Sequence, residues 1–203
     1  MKKIGEGAEA KIYLTSIFGN IVLVKVRFRK KYREKALDES LRRSRTKQEA
    51  HAMIIARRAG VSVPVVVAFD KFSIYMQRLE GRLLREVLSD TNANLPCAVF
   101  VELGRELAKM HNANIAHGDF TPANIILNNN SHAFIIDFGL SEITSSIEAK
   151  ALDLLLMKRS ITSEQYSAFL QGYAAYSKSK EVLARLNEIE KRGRYQTRTL
   201  ITS

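Results

Sequence analysis

The chain has 203 residues, 46% of them hydrophobic, enough to bury one good core or two small lobes. Its 32 Lys and Arg against 21 Asp and Glu leave a formal charge of +11, which favours an anionic partner such as RNA. A single cysteine, Cys97, rules out an internal disulfide, and no apolar run reaches transmembrane length, so no membrane contact is expected.

Met1-Lys2-Lys3-Ile4 runs into Gly5 without an apolar signal core, and a cytoplasmic location is expected. Gly5-Glu6-Gly7-Ala8-Glu9-Ala10 then precedes the alternating Lys11-Ile12-Tyr13-Leu14, a turn at Phe18-Gly19-Asn20 and the apolar run Ile21-Val22-Leu23-Val24-Lys25-Val26. The pattern predicts a strand hairpin with a small-residue loop at its start. Gly5, Gly7 and Ala8 would let backbone N–H groups approach phosphate oxygens, although a lone G-x-G equally suits a turn that starts a strand. Ala10 stands where such loops often carry a third glycine. Lys25 falls on the same strand face as Leu23 and opposite Val24 and Val26; with the loop and hairpin upstream, it is the candidate phosphate anchor.

Leu37 to Arg58 reads as a helix closed by Gly60. Glu49 shares a face with Ala52, Met53 and Ala56, and an acid on an apolar face needs a partner, for which Lys25 is the candidate. Glu34, Asp38 and Glu39 lie among cations and read as surface charges. Between Lys25 and Arg58 there are 13 Lys and Arg against 4 Asp and Glu, so the excess charge is concentrated here. Arg42, Arg43, Arg45 and Lys47 form either a docking stripe for RNA or an acidic protein, or a solvated helix face.

Val61 to Phe69 and Phe72 to Met76 read as strands around Asp70-Lys71, and at Gln77-Arg78-Leu79-Glu80-Gly81 the chain leaves the sheet. Arg82 to Leu88 and Pro96 to Asn112 follow as helices, the second with Val99, Leu103, Leu107 and Met110 inward. His51, His111 and His132 have no acid or cysteine at metal-ligand spacing and read as structural or exposed.

His117-Gly118-Asp119 with Asn124 matches H-x-D-x-x-x-x-N, and Asp137-Phe138-Gly139 follows the apolar Phe134-Ile135-Ile136. Ile125 to Leu127 and Phe134 to Ile136 read as a hairpin through Asn128-Asn129-Asn130, which would join the two motifs into one site. This is the layout of a kinase catalytic loop and metal-binding loop. Asp119 is the candidate base, and Asn124 and Asp137 are the candidate Mg2+ ligands against the phosphates of ATP. The expected fold is α+β, a minimal two-lobed protein-kinase-like fold. Residues 1–76 would be the N-lobe of antiparallel strands plus a helix, residues 77–81 the hinge, and residues 82–203 a mostly helical C-lobe with a basic tail. Adenine would meet the hinge near Gln77 and Leu79, beside the bulky Met76.

Only the polar Ser141 to Ser146 separates that motif from a helical stretch, Ile147 to Lys158, and no A-P-E follows, so the segment that binds peptide in ordinary protein kinases is expected to be absent. Gly118 replaces the arginine that reads a phosphorylated activation loop, and such control is not expected. Thr162 to Tyr176 and Lys180 to Arg192 read as two more helices. The run Lys191-Arg192-Gly193-Arg194-Tyr195-Gln196-Thr197-Arg198 carries four cations and no acid, a tail able to reach the site or RNA, or a solubilising end.

The combination G-E-G-A-E-A, Lys25, R-S-R-T-K-Q-E-A ending at Glu49 and Ala50, Met76, H-G-D-F-T-P-A-N, D-F-G-L-S and R-G-R resembles, over essentially the whole chain, the PRPK-type small atypical kinases of the KEOPS complex. The resemblance implies a Ser/Thr kinase or ATPase that uses ATP and Mg2+ and supports threonylcarbamoylation of adenosine in tRNA. The KEOPS threonylcarbamoyl-transferase subunit would be its direct partner. Carried over by position, Lys25 and Glu49 align the phosphates, Asp119 is the base, Asn124 and Asp137 bind Mg2+, and Asp153 braces the catalytic loop. Thr121 stands where many Ser/Thr kinases have a lysine on the transferred phosphate, which suits a slow enzyme.

Three rivals share part of the pattern. An aminoglycoside-type phosphotransferase also uses H-G-D, but would need a large acidic substrate lobe. A RIO-type kinase would be equally basic, but the plain D-F-G and the absence of a DNA-binding-like segment oppose it. A pseudokinase-like nucleotide-binding module is opposed by the intact Lys25, Asp119, Asn124 and Asp137.

Overall fold

Strand pairing begins at the second residue. A computed structural model describes residues 1–7, 9–93 and 95–199, with side chains through residue 192. Strands β1 (Lys2–Glu6), β2 (Ala10–Ile17) and β3 (Asn20–Arg27) precede helix α1 (Lys35–Arg58), and β4 (Val66–Phe69) and β5 (Ser73–Gln77) follow it. They form one antiparallel sheet in the order β1-β2-β3-β5-β4. β2 and β3 pair from Ala10↔Arg27 to Ile17↔Asn20, and the two-residue turn between them has positive φ at both Phe18 and Gly19. Such a turn matches the twist of the strands it joins.

Sequence periodicity misses β1, because Lys2–Glu6 is largely exposed and shows no apolar alternation. The small-residue stretch therefore lies between two paired strands and not ahead of a first hairpin; Gly5 belongs to β1 and Ala8 lies outside the described residues. The expected strand from Val61 starts only at Val66. Val61 and Val63 are buried all the same, so their β-branched side chains serve packing without strand pairing.

Helix α1 starts two residues before its expected position, where the Glu34 carboxylate caps the backbone N–H groups of Ala36 and Leu37. Its buried face, including Glu49, Ala50, Met53 and Ala56, is the one the periodicity marks. Asp38 corrects the surface reading: it is fully buried and accepts from the Lys30 N–H at 3.0 Å and Arg42 Nε at 2.7 Å.

Beyond Gln77 the chain is mainly helical. Short β6 (Arg82–Leu83) leads into α2 (Leu84–Leu88), then α3 (Cys97–Asn112) and β7 (Ile115–Ala116). A 3-10 turn at Pro122–Asn124 leads into β8 (Ile125–Leu127) and β9 (Ala133–Ile135), followed by β10 (Glu142–Ile143). Helices α4 (Ile147–Ser160), α5 (Ser163–Tyr173) and α6 (Ser179–Thr199) complete the order. β8 and β9 form the expected hairpin, with β6 added alongside. The α6 backbone continues past the expected end at Arg192; the side chains of the basic run beyond that residue lie outside those described. Phe100, Leu107, Phe120, Phe138, Phe169 and Tyr173 are fully or almost fully buried, so the core of this half sits directly beneath both motifs. Among the described residues no helix is long and apolar enough to cross a membrane.

Candidate active site

Lys25, in the centre of β3, meets two carboxylates from distant parts of the chain. Its Nζ donates to Glu49 Oε1 at 2.6 Å and to Asp137 Oδ1 at 2.8 Å. The Glu49 side chain is 2% exposed and that of Asp137 is 51% exposed, so one partner is locked inside and the other faces the cleft. Burial alone would lower the Lys25 ammonium; the Glu49 and Asp137 charges outweigh it and hold the group above its ordinary value. Burial likewise pushes the Asp137 carboxyl up, but the Lys25 ammonium, helped by the Gly139 N–H, reverses this and keeps it below the usual carboxylate range.

The loop before β8 is held from below. Asp153, on α4, accepts from the backbone N–H of His117 at 2.7 Å and of Gly118 at 2.8 Å. It also pairs with His111 Nε2 at 3.2 Å. Gly118 has φ +78°, and a Cβ there would lie 2.3 Å from the Leu140 carbonyl oxygen. The glycine in H-G-D is thus required by the close approach of the segment after Asp137-Phe138-Gly139. Asn124 Nδ2 donates to the Asp119 carboxylate at 2.8 Å and to its carbonyl at 2.9 Å, closing the turn between the two residues.

Asp137 adopts φ +59°, a left-handed conformation that aspartate tolerates better than most residues, and it turns the carboxylate toward Lys25. Phe138 is buried, and its ring meets that of His117 at 4.9 Å. Ser141 Oγ donates to the Phe138 carbonyl at 2.7 Å, and the Ser141 carbonyl accepts from Gln48 Nε2 at 3.0 Å, which ties the motif to α1.

Lys25, Glu49, Asn124 and Asp137 line one cleft with two compartments that share Ile12, Lys25 and Asp137, whereas Asp119 lines neither. The inner part, about 250 Å3, is lined by apolar side chains such as Leu23, Met76, Leu79, Ile126 and Ile136, and also by Gln77 and Asn124. The outer part, about 390 Å3, runs under Gly7, Glu9 and Ala10 and along Arg27, Gly139 and Leu140. Gly5 lines neither compartment. The Gln77 N–H is donated to the Val65 carbonyl at 2.8 Å, whereas the Leu79 N–H has no backbone partner among the described residues.

Residues 1–180 match the protein kinase domain family. Over their full lengths the chain is 39% identical to the KEOPS complex subunit Bud32 of Pyrococcus abyssi. It is 40% identical, over 97% of each chain, to a probable serine/threonine-protein kinase BUD32 homolog of Archaeoglobus fulgidus. The chain belongs to the Bud32 family. A probable bifunctional tRNA threonylcarbamoyladenosine biosynthesis protein of Methanobrevibacter smithii is 37% identical over 95% of this Bud32-family chain and 36% of its own length. Among solved structures, the Rio2 kinase of Chaetomium thermophilum in a complex with ADP, Mg2+ and phosphoaspartate aligns with TM-score 0.61 and 19% identity, over 97% of this chain and 72% of its own. That likeness is one of fold.

Of the expected site residues of this Bud32-family chain, Lys25, Glu49, Asn124 and Asp137 line the cleft, and Asp119 is joined to it only through its hydrogen bond with Asn124; the motif spacing gives no sign of Arg27 or Glu9. Arg27 is buried, donates to Glu49 Oε2 at 2.6 Å and reaches Glu9 Oε2 at 3.3 Å. Strand alternation puts Arg27 on the face of Lys25, and that was the available clue. His111, which the sequence reads as structural or exposed, is fully buried, with Nδ1 at 2.7 Å from the Tyr173 hydroxyl.

Proposed function

We propose that this chain is the Mg-ATP-dependent kinase or ATPase subunit of a KEOPS complex, supporting the threonylcarbamoyl modification of tRNA adenosine in the cytoplasm. The observation that carries the reading is the convergence of Lys25, Glu49 and Asp137 where the two compartments of the cleft meet, with Asn124 lining the inner one and bonded to Asp119. Residues 77–81 serve as the hinge between residues 1–76 and 82–203. Met76, Leu79 and Ile126 offer apolar surface to a planar base, and the Leu79 N–H is the hydrogen-bond donor for it.

Lys25 orients the phosphates, with Glu49 fixing its position from behind. Gly7 borders the outer compartment, and its lack of a side chain lets phosphates come close to the backbone, although its own N–H is donated to the Ala10 carbonyl at 2.9 Å. Asp119 accepts the proton of the attacking hydroxyl or water; the Asn124 amide nitrogen bonded to it holds its carboxylate in place. Because that nitrogen is spent on Asp119 and the backbone carbonyl accepts from the Ile136 N–H, the side-chain Oδ1 of Asn124 is the atom left for a cation, and with the Asp137 carboxylate it makes a donor set of hard oxygens. Such a sparse set fits Mg2+, which keeps waters and phosphate oxygens as its other ligands, and Mg2+ bound there would neutralise charge developing on the phosphates.

The segment between Gly139 and α4 favours ATP hydrolysis or self-modification over phosphorylation of free peptides. Seven residues span it, and β10 within it is paired to β7 through Glu142↔Ala116 and Ile143↔Ile115, which leaves no room for a peptide platform. Thr121 supplies no cation to the transferred phosphate, consistent with slow turnover.

The test separates phosphate release from transfer onto protein, with and without the threonylcarbamoyl-transferase subunit and tRNA. Asp137→Asn, which removes a charge and little volume, should lower turnover on the order of a hundredfold or more while the thermal melt stays close to that of the parent. Free phosphate that rises with the partner marks an ATPase within the complex; label on protein marks a kinase. Turnover unchanged in Asp137→Asn would overturn the assignment.

A further inference from the structure

Glu49 carries two oxygens, and each is held by a different cation of β3. Lys25 takes Oε1 and Arg27 takes Oε2, both at 2.6 Å. Arg27 is 6% exposed, and its second amino group extends to Glu9, in the loop between β1 and β2, at 3.3 Å. Arg45 of α1 donates to the same Glu9 carboxylate, and Arg33 lies 3.8 Å from it. The Arg45 hydrogen bond, more than the opposing effect of partial burial, holds the Glu9 carboxyl below its usual range. The register of β2 on β3 sets Arg27 opposite Ala10, the residue that follows Glu9, so the guanidinium spans the shortest route from the loop to the helix.

Two electrostatic problems meet at this point. A lysine that turns toward phosphates gives less of its charge to a carboxylate behind it, and a buried carboxylate without a cation is strongly destabilising. A carboxylate in the loop above the phosphates would also repel them unless it is drawn aside. Arg27 answers both with one planar group, at the expense of its Nε, which has no partner among the described residues. A lysine is a point charge on a single nitrogen and lacks the fork that spans two carboxylates.

We infer that Arg27 is a positioning residue for nucleotide phosphates: through Glu9 it holds the loop over the outer compartment, and through Glu49 it keeps that acid neutralised while Lys25 serves the phosphates. The inference rests on the Mg-ATP reading above. Arg27 borders the outer compartment, and its side-chain hydrogen bonds run to the loop and the helix, not to Asp119, Asn124 or Asp137.

Arg27→Lys and Glu9→Gln break the same bridge from opposite ends, and Glu9 is exposed enough for its change to leave folding intact. In the full-length chain each should raise KM for Mg-ATP, and Kd for Mg-ADP, roughly tenfold, the scale of one charge-assisted hydrogen bond, with a smaller fall in kcat. The double variant should be no worse than the worse single, because the link is already broken. Unchanged nucleotide affinity, tighter binding in Glu9→Gln, independent effects that multiply in the double variant, or a lowered melting temperature with affinity intact would each overturn the bridge. Asp137→Asn run alongside keeps the two ideas apart: if it turns over normally the proposed function fails, and the Mg-ADP titration still decides the role of Arg27.

Discussion

His117 spends both ring nitrogens on backbone groups, and that fixes its protonation. Nδ1 accepts from the Asp119 N–H at 3.3 Å, so Nε2 must carry the proton it donates to the Ile136 carbonyl at 3.1 Å. His111 is arranged in the same sense: Nε2–H faces the Asp153 carboxylate, and Nδ1 accepts from the Tyr173 hydroxyl. Burial pushes both imidazoles below the ordinary histidine value of 6.5, ahead of the opposing pull of Asp153. Groups with a depressed folded pKa are protonated more readily in the unfolded chain. Their contribution to stability is complete above 6.5 and declines as pH falls below it toward the folded values. The melting temperature should therefore drop between pH 7.5 and about 5.5, before most carboxylates titrate. A flat profile over that window would remove the neutral histidines from the account.

Helices α3 and α5 approach so closely that each needs a glycine at the crossing. A Cβ on Gly172 would stand 1.9 Å from the Val101 carbonyl oxygen, and one on Gly104 would stand 2.0 Å from that of Phe169. Backbone cannot give way as a side chain can, so Gly172→Ala should destabilise by about 2 kcal/mol or more, a fall in melting temperature of roughly 4–8 °C. A thermal melt checks this, and an unshifted transition would mean that the helices part without penalty. Both glycines lie inside helices, where sequence reading alone records only weakened propensity. Their reason is the packing of Phe169 and Tyr173 under the catalytic loop.

Across the whole molecule the positive charge divides by where each residue falls on α1. Arg42 lies over the Phe72 ring at 3.9 Å and pairs with Asp38, and Arg45 is committed to Glu9. Arg43 and Lys47 point outward beside Glu39 and Ser40. The stripe of four that the sequence suggests is therefore two internal ties and two outward charges. If the outward pair meets the phosphate backbone of tRNA, Arg43→Glu with Lys47→Glu should weaken binding across all sequences and flatten the slope of log affinity against log salt by about 2. Filter binding or calorimetry at several salt concentrations checks this, and an unchanged slope would place the RNA elsewhere.

Short-range order was legible where a residue type and a spacing carry the same message. The β2–β3 hairpin, the buried face of α1 and the H-G-D and D-F-G motifs all follow from local pattern, and Lys25 and Glu49 can be paired because one follows a small-residue loop and hairpin and the other is an acid on an apolar face. Only the tertiary structure decided which charges were already spoken for. Arg27 and Glu49 are 22 residues apart, and Lys25 and Asp137 are 112 apart, so no local period links them. Asp38 and Arg45 look like surface charges in a basic run, yet Asp38 is buried and Arg45 is tied to Glu9 once α1 packs on the sheet. β1 lacked a pattern because its pairing with β2 stabilises it through backbone hydrogen bonds, which any sequence can make. The sequence by itself determined the residue types that line the cleft and most of the elements that carry them. Folding determined how that chemistry is braced, because a carboxylate's second oxygen, a glycine's missing Cβ and a histidine's tautomer acquire their roles only from neighbours brought in from elsewhere in the chain.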